Sequence, residues 1–91
     1  MTKRYVVMYE SGDDVRQKAP IHFAEHQSRW KQFSDRGQLL MIGTFSDLSG
    51  SMAIFTTRKA AEEFAQGDPF VLHGVVRSLQ IKEWNEALSG P

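Results

Sequence analysis

At 91 residues the chain has room for one hydrophobic core, and residues 1–91 are read as a single domain. Apolar residues make up 41% and charged residues 24%, a globular rather than a disordered balance. Eleven basic residues cancel eleven acidic ones, which argues against nucleic acid or an anionic membrane as partner, and the absence of cysteine removes disulfides, thiolate nucleophiles and thiol-ligated metals.

Tyr5-Val6-Val7-Met8-Tyr9 is β-branched and aromatic and apolar on both alternating faces, so it reads as a central strand covered on both sides. Ser11 to Lys18, with Gly12-Asp13-Asp14, reads as a loop. Pro20 suits the first turn of a helix running to about Arg36, with Gly37 as its stop. Phe23, His26, Trp30 and Phe33 then fall at spacings of 3, 4 and 3, the stripe that faces a core, and Glu25, Ser28, Arg29, Lys31, Gln32 and Arg36 are assigned to the opposite face. Gln38–Phe45 and Ser51–Thr56 read as two strands joined by the turn chemistry of Ser46-Asp47-Leu48-Ser49-Gly50. Thr57 can cap a second helix with Ala60, Ala61 and Phe64 on its apolar face and Gly67 at its end. Asp68-Pro69 looks like a new N-cap followed by proline at the first helical position. Val75–Trp84 is the fourth strand, and the tail from Glu86 is expected to be loosely held.

The order β-α-β-β-α-β predicts an α+β, ferredoxin-like domain with a four-stranded antiparallel sheet. Right-handed crossovers put both helices on one face of that sheet. Val6 and Met8 leave the other face apolar, so the sheet face is expected to be covered by a second copy of the chain. The longest apolar stretch, Leu39–Ile42, falls far short of the ~20 residues of a membrane span. Met1-Thr2-Lys3-Arg4 leads straight into strand-like sequence without a signal peptide's apolar region, and a cytoplasmic location is expected.

His26 is the most informative residue. It interrupts an apolar stripe, where a buried imidazole needs partners for its nitrogens. Asp68 is the candidate partner, because the second crossover ends near the layer of the first helix. A carboxylate on one ring nitrogen fixes the tautomer and leaves the other as a general base or acid. Asp68 has the competing role of N-cap, and the two are compatible if one carboxylate oxygen is spare. His22-Phe23-Ala24-Glu25-His26 matches the H-x-x-E-H pattern of inverted zincins. It is read as a coincidence: Glu25 lies off the stripe of His26, no third ligand is evident, and 91 residues leave no protease cleft. No metal is expected. His22 is instead placed at the mouth of a pocket, and Trp30, Phe45 and Phe70 serve either as core or as pocket wall for a flat ligand.

Ala24-Glu25-His26, Asp35-Arg36-Gly37-Gln38-Leu39-Leu40 with Gly43, Ala60-Ala61-Glu62-Glu63-Phe64, Gly67-Asp68-Pro69-Phe70 with Gly74-Val75, and Ile81-Lys82-Glu83-Trp84 occur in an order and spacing that resemble the YCII-related family of the dimeric α+β barrel superfamily. The resemblance implies a ferredoxin-like subunit pairing sheet to sheet with its twin, and a proposed active site of one histidine and one aspartate. Counting eleven back from Gly37 puts the family histidine on His26, and the aspartate falls on Asp68. It further implies cofactor-free, dehydrochlorinase-like or isomerase-like chemistry. Many relatives have Gly-Pro where this chain has Gly43-Thr44-Phe45, so substrate identity does not carry over.

The expectation is therefore a homodimer using His26 and Asp68, without cofactor, for proton abstraction or elimination on a small, ring-bearing organic acid or phenol. His22, Trp30, Phe45 and Phe70 are its expected substrate contacts. The competing reading is a non-catalytic module for small-molecule binding or interaction, in which the His–Asp pair is structural.

Overall fold

The computed structural model describes residues 2–88. The chain forms β1 (Thr2–Ser11), α1 (Val15–Asp35), β2 (Leu39–Thr44), β3 (Gly50–Phe55), α2 (Arg58–Gly67), the short α3 (Pro69–Leu72) and β4 (Val76–Glu86). The strands make one antiparallel sheet in the order β2-β3-β1-β4. This is the ferredoxin-like arrangement: each crossover passes over one intervening strand, β3 between β1 and β2 and β1 between β3 and β4, which leaves β1 and β3 central.

Alternation along β1 sorts the sheet's two faces. Val7 and Tyr9 turn toward the helices and join Phe33, Leu39, Ala53, Phe55, Ala60, Ala61 and Phe64 in the core. Phe33 meets Phe55 and Phe64 edge to face, with ring centroids 6.1 and 5.4 Å apart, a geometry worth about 0.5–1.5 kcal/mol per pair beyond area burial. On the other face Val6 lies opposite Ile54 and Lys82, and Met8 opposite Met52. Met8, Met52 and Trp84 are exposed there.

Helix α1 begins at Val15, five residues before the position predicted from Pro20, which lies inside the helix. The turn at Gly12–Asp14 starts it: the Asp14 carbonyl accepts from the amides of Gln17 and Lys18, and Gly12 donates to the Val75 carbonyl. Proline's fixed φ suits a helix, and the sacrifice is one backbone hydrogen bond near the helix start, on an exposed face. The end is as predicted. Gly37 takes φ +74° and its amide donates to Ser34, while Gln38 donates to Phe33, a left-handed closure that glycine makes without strain.

The stripe of α1 is only partly core. His26 and Phe33 are buried and Trp30 packs against the core, but Phe23 is 47% exposed. Arg29, assigned above to the solvent face, instead spans to α2 and donates to the carbonyls of Phe64 (3.1 Å) and Glu63 (2.7 Å). It stands three residues after His26 and four before Phe33, hence on their side of the helix. Thr57 accepts from the Ala60 amide at 3.1 Å and caps α2 as expected. Glu86, expected in a loose tail, is the last residue of β4 and pairs with Thr2. Residues 89–91 of that tail lie outside the described residues. No helix among the described residues is long and apolar enough to cross a membrane.

Candidate active site

Two elements supply the pair at the centre of the site. His26 sits midway along α1 with its ring turned to the sheet side, and Asp68 sits at the junction of α2 and α3, where Gly67 ends one helix and Pro69 opens the next. His26 is 8% exposed and Asp68 fully buried. The Asp68 carboxylate is surrounded by donors. Oδ1 accepts from His26 Nδ1 at 2.7 Å and from the Phe70 amide at 3.1 Å, and Oδ2 accepts from the Tyr9 hydroxyl at 2.7 Å. Capping and pairing thus coexist because Oδ1 serves both the α3 amide and the imidazole.

A carboxylate accepts and cannot donate, so its bond to His26 requires the proton on Nδ1. Nε2 is left without a hydrogen bond among the described residues, on a side chain that lines a cleft of about 370 Å³. Phe70 fixes the plane of the imidazole, stacking on it at 3.8 Å between centroids and 5° between planes. The histidine therefore has its tautomer set by Asp68 and its tilt by Phe70.

Tyr9 was read from the sequence only as an apolar position of a strand. Its phenol is 7% exposed and is held well above its ordinary value of 10.0, by burial first and then by the charge and hydrogen bond of Asp68. It remains a neutral donor to Asp68 at any physiological pH. Strand alternation reports which face a residue occupies and not which polar atom it meets, so no sequence signal identified this contact.

The cleft lies between α1 and the end of the sheet where the β2–β3 turn stands. Its walls are Val15, Arg16, Ala19, Pro20, Phe23 and His26 of α1, Tyr9 and Ser11 of β1, Thr44, Leu48, Gly50 and Ser51 around the turn, Phe70 of α3, and Val75 and Val76. Of the four expected substrate contacts, Phe70 lines it. His22 does not: its ring stacks on His73 at 4.1 Å and 2°, one helical turn away from His26. Trp30 packs against the core, and Phe45 borders a separate shallow depression with Met41, Ile42 and Met52. Phe23, expected in the core, is the aromatic that joins Phe70 in the wall. Among the described residues, no three His, Asp or Glu side chains are grouped so as to hold a metal ion.

No curated protein matches the chain. Among solved structures its fold is similar to that of 5-chloro-2-hydroxyhydroquinone dehydrochlorinase from Burkholderia phenoliruptrix AC1100 in complex with 2,5-dihydroxybenzoquinone. The TM-score is 0.77 at 15% sequence identity, over 92% of this chain and 95% of that one, a likeness of fold. The model of the YCII-related domain matches residues 3–85, nearly the whole length, and the chain belongs to the YCII-related family.

Proposed function

We propose that the chain is a cofactor-independent acid–base enzyme, dehydrochlorinase-like, acting on a small ring-bearing organic acid or phenol. The observation that carries this reading is the free Nε2 of His26 at an apolar cleft, with Nδ1 tied to a buried carboxylate. In the reaction, the phenol enters in its keto form and Nε2 takes a proton from the saturated ring carbon next to the carbonyl. The electron pair left behind becomes a new double bond, and a leaving group on the neighbouring carbon departs with its own pair. Asp68 stabilises the imidazolium formed, which then gives its proton to water or, in an isomerisation, to another ring carbon. Tyr9 keeps the second carboxylate oxygen occupied, so that Asp68 does not turn away from the imidazole. A relative of similar fold is named for the loss of hydrogen chloride from a chlorinated hydroxyhydroquinone, which makes that compound class the first to test.

The test is halide release and ring-hydrogen exchange by the full chain over a panel of chlorinated and unchlorinated hydroxyhydroquinones. His26→Asn is expected to lower turnover by about 10²–10⁴-fold, the usual worth of a positioned acid–base group. Turnover unchanged in that variant overturns the assignment of His26. Tight binding across the panel without any turnover overturns the enzyme and favours the binding module.

The same reading takes the chain as a homodimer joined through the open sheet face. The support is Met8, Met52 and Trp84, exposed together around the nearly buried Val6 and Ile54 on the face no helix covers. Sedimentation at micromolar concentration is expected to give twice the 10.4 kDa chain mass. Met52→Glu, which sets a charge in the middle of that face, is expected to shift the mass toward the monomer. A wild-type chain that sediments only as monomer overturns the dimer.

A further inference from the structure

The cleft is longer than the His26 site needs. Its α1 wall is a continuous stripe, Val15, Arg16, Ala19, Pro20, Phe23 and His26, that follows the helix for about 16 Å at ~1.5 Å per residue. His26 stands at one end of the stripe and Arg16 at the other, about 15 Å away along the axis by the same rise. Helical side chains lean toward the N-terminus of their helix, so His26 leans toward Arg16 while Arg16 leans away. A single six-membered ring does not bridge that gap. Between the two ends the wall is apolar.

Charge adds a second observation. Arg16 is exposed, lines the cleft, and makes no hydrogen bond or ion pair with any described residue. Of the two carboxylates just before it in the chain, Asp13 pairs with Arg77 of β4, and Asp14 makes no side-chain cap bond and lies outside the cleft wall. No acidic side chain is among the lining residues, since Asp68 is sealed behind His26. The cleft therefore presents one fixed positive charge at the end remote from the imidazole and nothing negative along its length.

We propose that the cleft takes an elongated amphipathic anion: a ring against His26 and Phe70, an apolar spacer along Ala19, Pro20 and Phe23, and a carboxylate on Arg16. This rests on the site described above and narrows its substrate class from small acids in general to arylalkanoate-like acids. Arg16 is then a specificity residue that acts on binding, through a charged hydrogen bond at a wet rim.

The test is binding to the full-length chain, read by calorimetry and by perturbation of the His26 ring signals. The probes are benzoate, 3-phenylpropanoate, 5-phenylpentanoate and the amides of the first and last. In the wild type, 5-phenylpentanoate is expected to bind tighter than its amide by about fivefold, the scale of an exposed ion pair, while benzoate and benzamide bind alike. Arg16→Gln is expected to erase the preference for the long acid, Arg16→Lys to restore part of it, and 0.5 M salt to weaken it in the wild type. Equal binding of the long acid and its amide overturns the proposal, as does a preference that survives Arg16→Gln or one shown equally by benzoate. Turnover enters none of these outcomes. The enzyme reading can fail while the Arg16 anchor stands, and the anchor can fail while His26 remains catalytic.

Discussion

Asp68→Ala is expected to destabilise the fold by about 3–5 kcal/mol, the usual cost of removing one partner from a buried charged network. The carboxylate is fully buried and holds three donors at once, His26 Nδ1, the Tyr9 hydroxyl and the Phe70 amide. Alanine leaves all three without their buried acceptor and takes the N-cap from α3. A domain of this size has of the order of 5–14 kcal/mol to lose, so the variant is expected to be close to unfolding at ambient temperature. Asp68→Asn behaves differently. Its carbonyl oxygen can accept from the Phe70 amide and from His26, asparagine caps as well as aspartate, and the Tyr9 hydroxyl can turn from donor to acceptor. Its loss is expected to stay within about 1–2 kcal/mol, an ordinary cost for one exchanged hydrogen-bond partner. Turnover is nevertheless expected to fall, because the amide has no charge with which to stabilise the imidazolium. Urea unfolding at constant m-value separates the two variants. A loss under about 1 kcal/mol in both variants would mean that Asp68 is not what organises the site.

Stability is expected to fall steeply on the alkaline side, and Tyr9 is the reason. Burial, then the charge of Asp68, hold its phenol above the ordinary 10.0 in the folded chain. In the unfolded chain the phenol loses its proton near that ordinary value, and in the folded chain it does not. The contribution of the neutral phenol is thus complete below about pH 10 and is lost as pH rises above it, at about 1.4 kcal/mol per pH unit. Tyr9→Phe removes this slope. It also costs about 1–3 kcal/mol at neutral pH, since Asp68 Oδ2 loses its donor. Unfolding free energies of both proteins between pH 9.5 and 11.5 are expected to converge with rising pH, and parallel curves would show that the phenol is not held protonated.

Much of the molecule was legible in its sequence because the relevant signals are local. The order of elements follows from period and punctuation, and Gly37, Thr57 and Asp68-Pro69 mark helix ends by chemistry confined to a few neighbouring backbone groups. His26 stood out as a polar residue on an apolar stripe, and Asp68 as a carboxylate between two breakers. The start of α1 was misjudged because Val15–Ala19 carries no apolar period of its own. It is helical because the Asp14 carbonyl anchors the amides of Gln17 and Lys18, starting the first turn.

What only the tertiary structure decided is which polar atoms share a buried space. Residue type placed Tyr9 in a strand, but its hydroxyl meets Asp68 only because β1 lies beneath the junction of α2 and α3. Aromatic character alone did not separate Phe70, stacked on His26, from Trp30 in the core, Phe45 in its separate depression or His22 against His73. The sequence by itself determined the order of the elements and the helix ends at Gly37, Thr57 and Asp68, since those depend on interactions within a few residues along the chain; the pairing of His26 with Asp68, 42 residues away, does not. The rest of the site depends on contacts such as the 59-residue separation of Tyr9 and Asp68, whose partners are chosen by the packing of helices on the sheet.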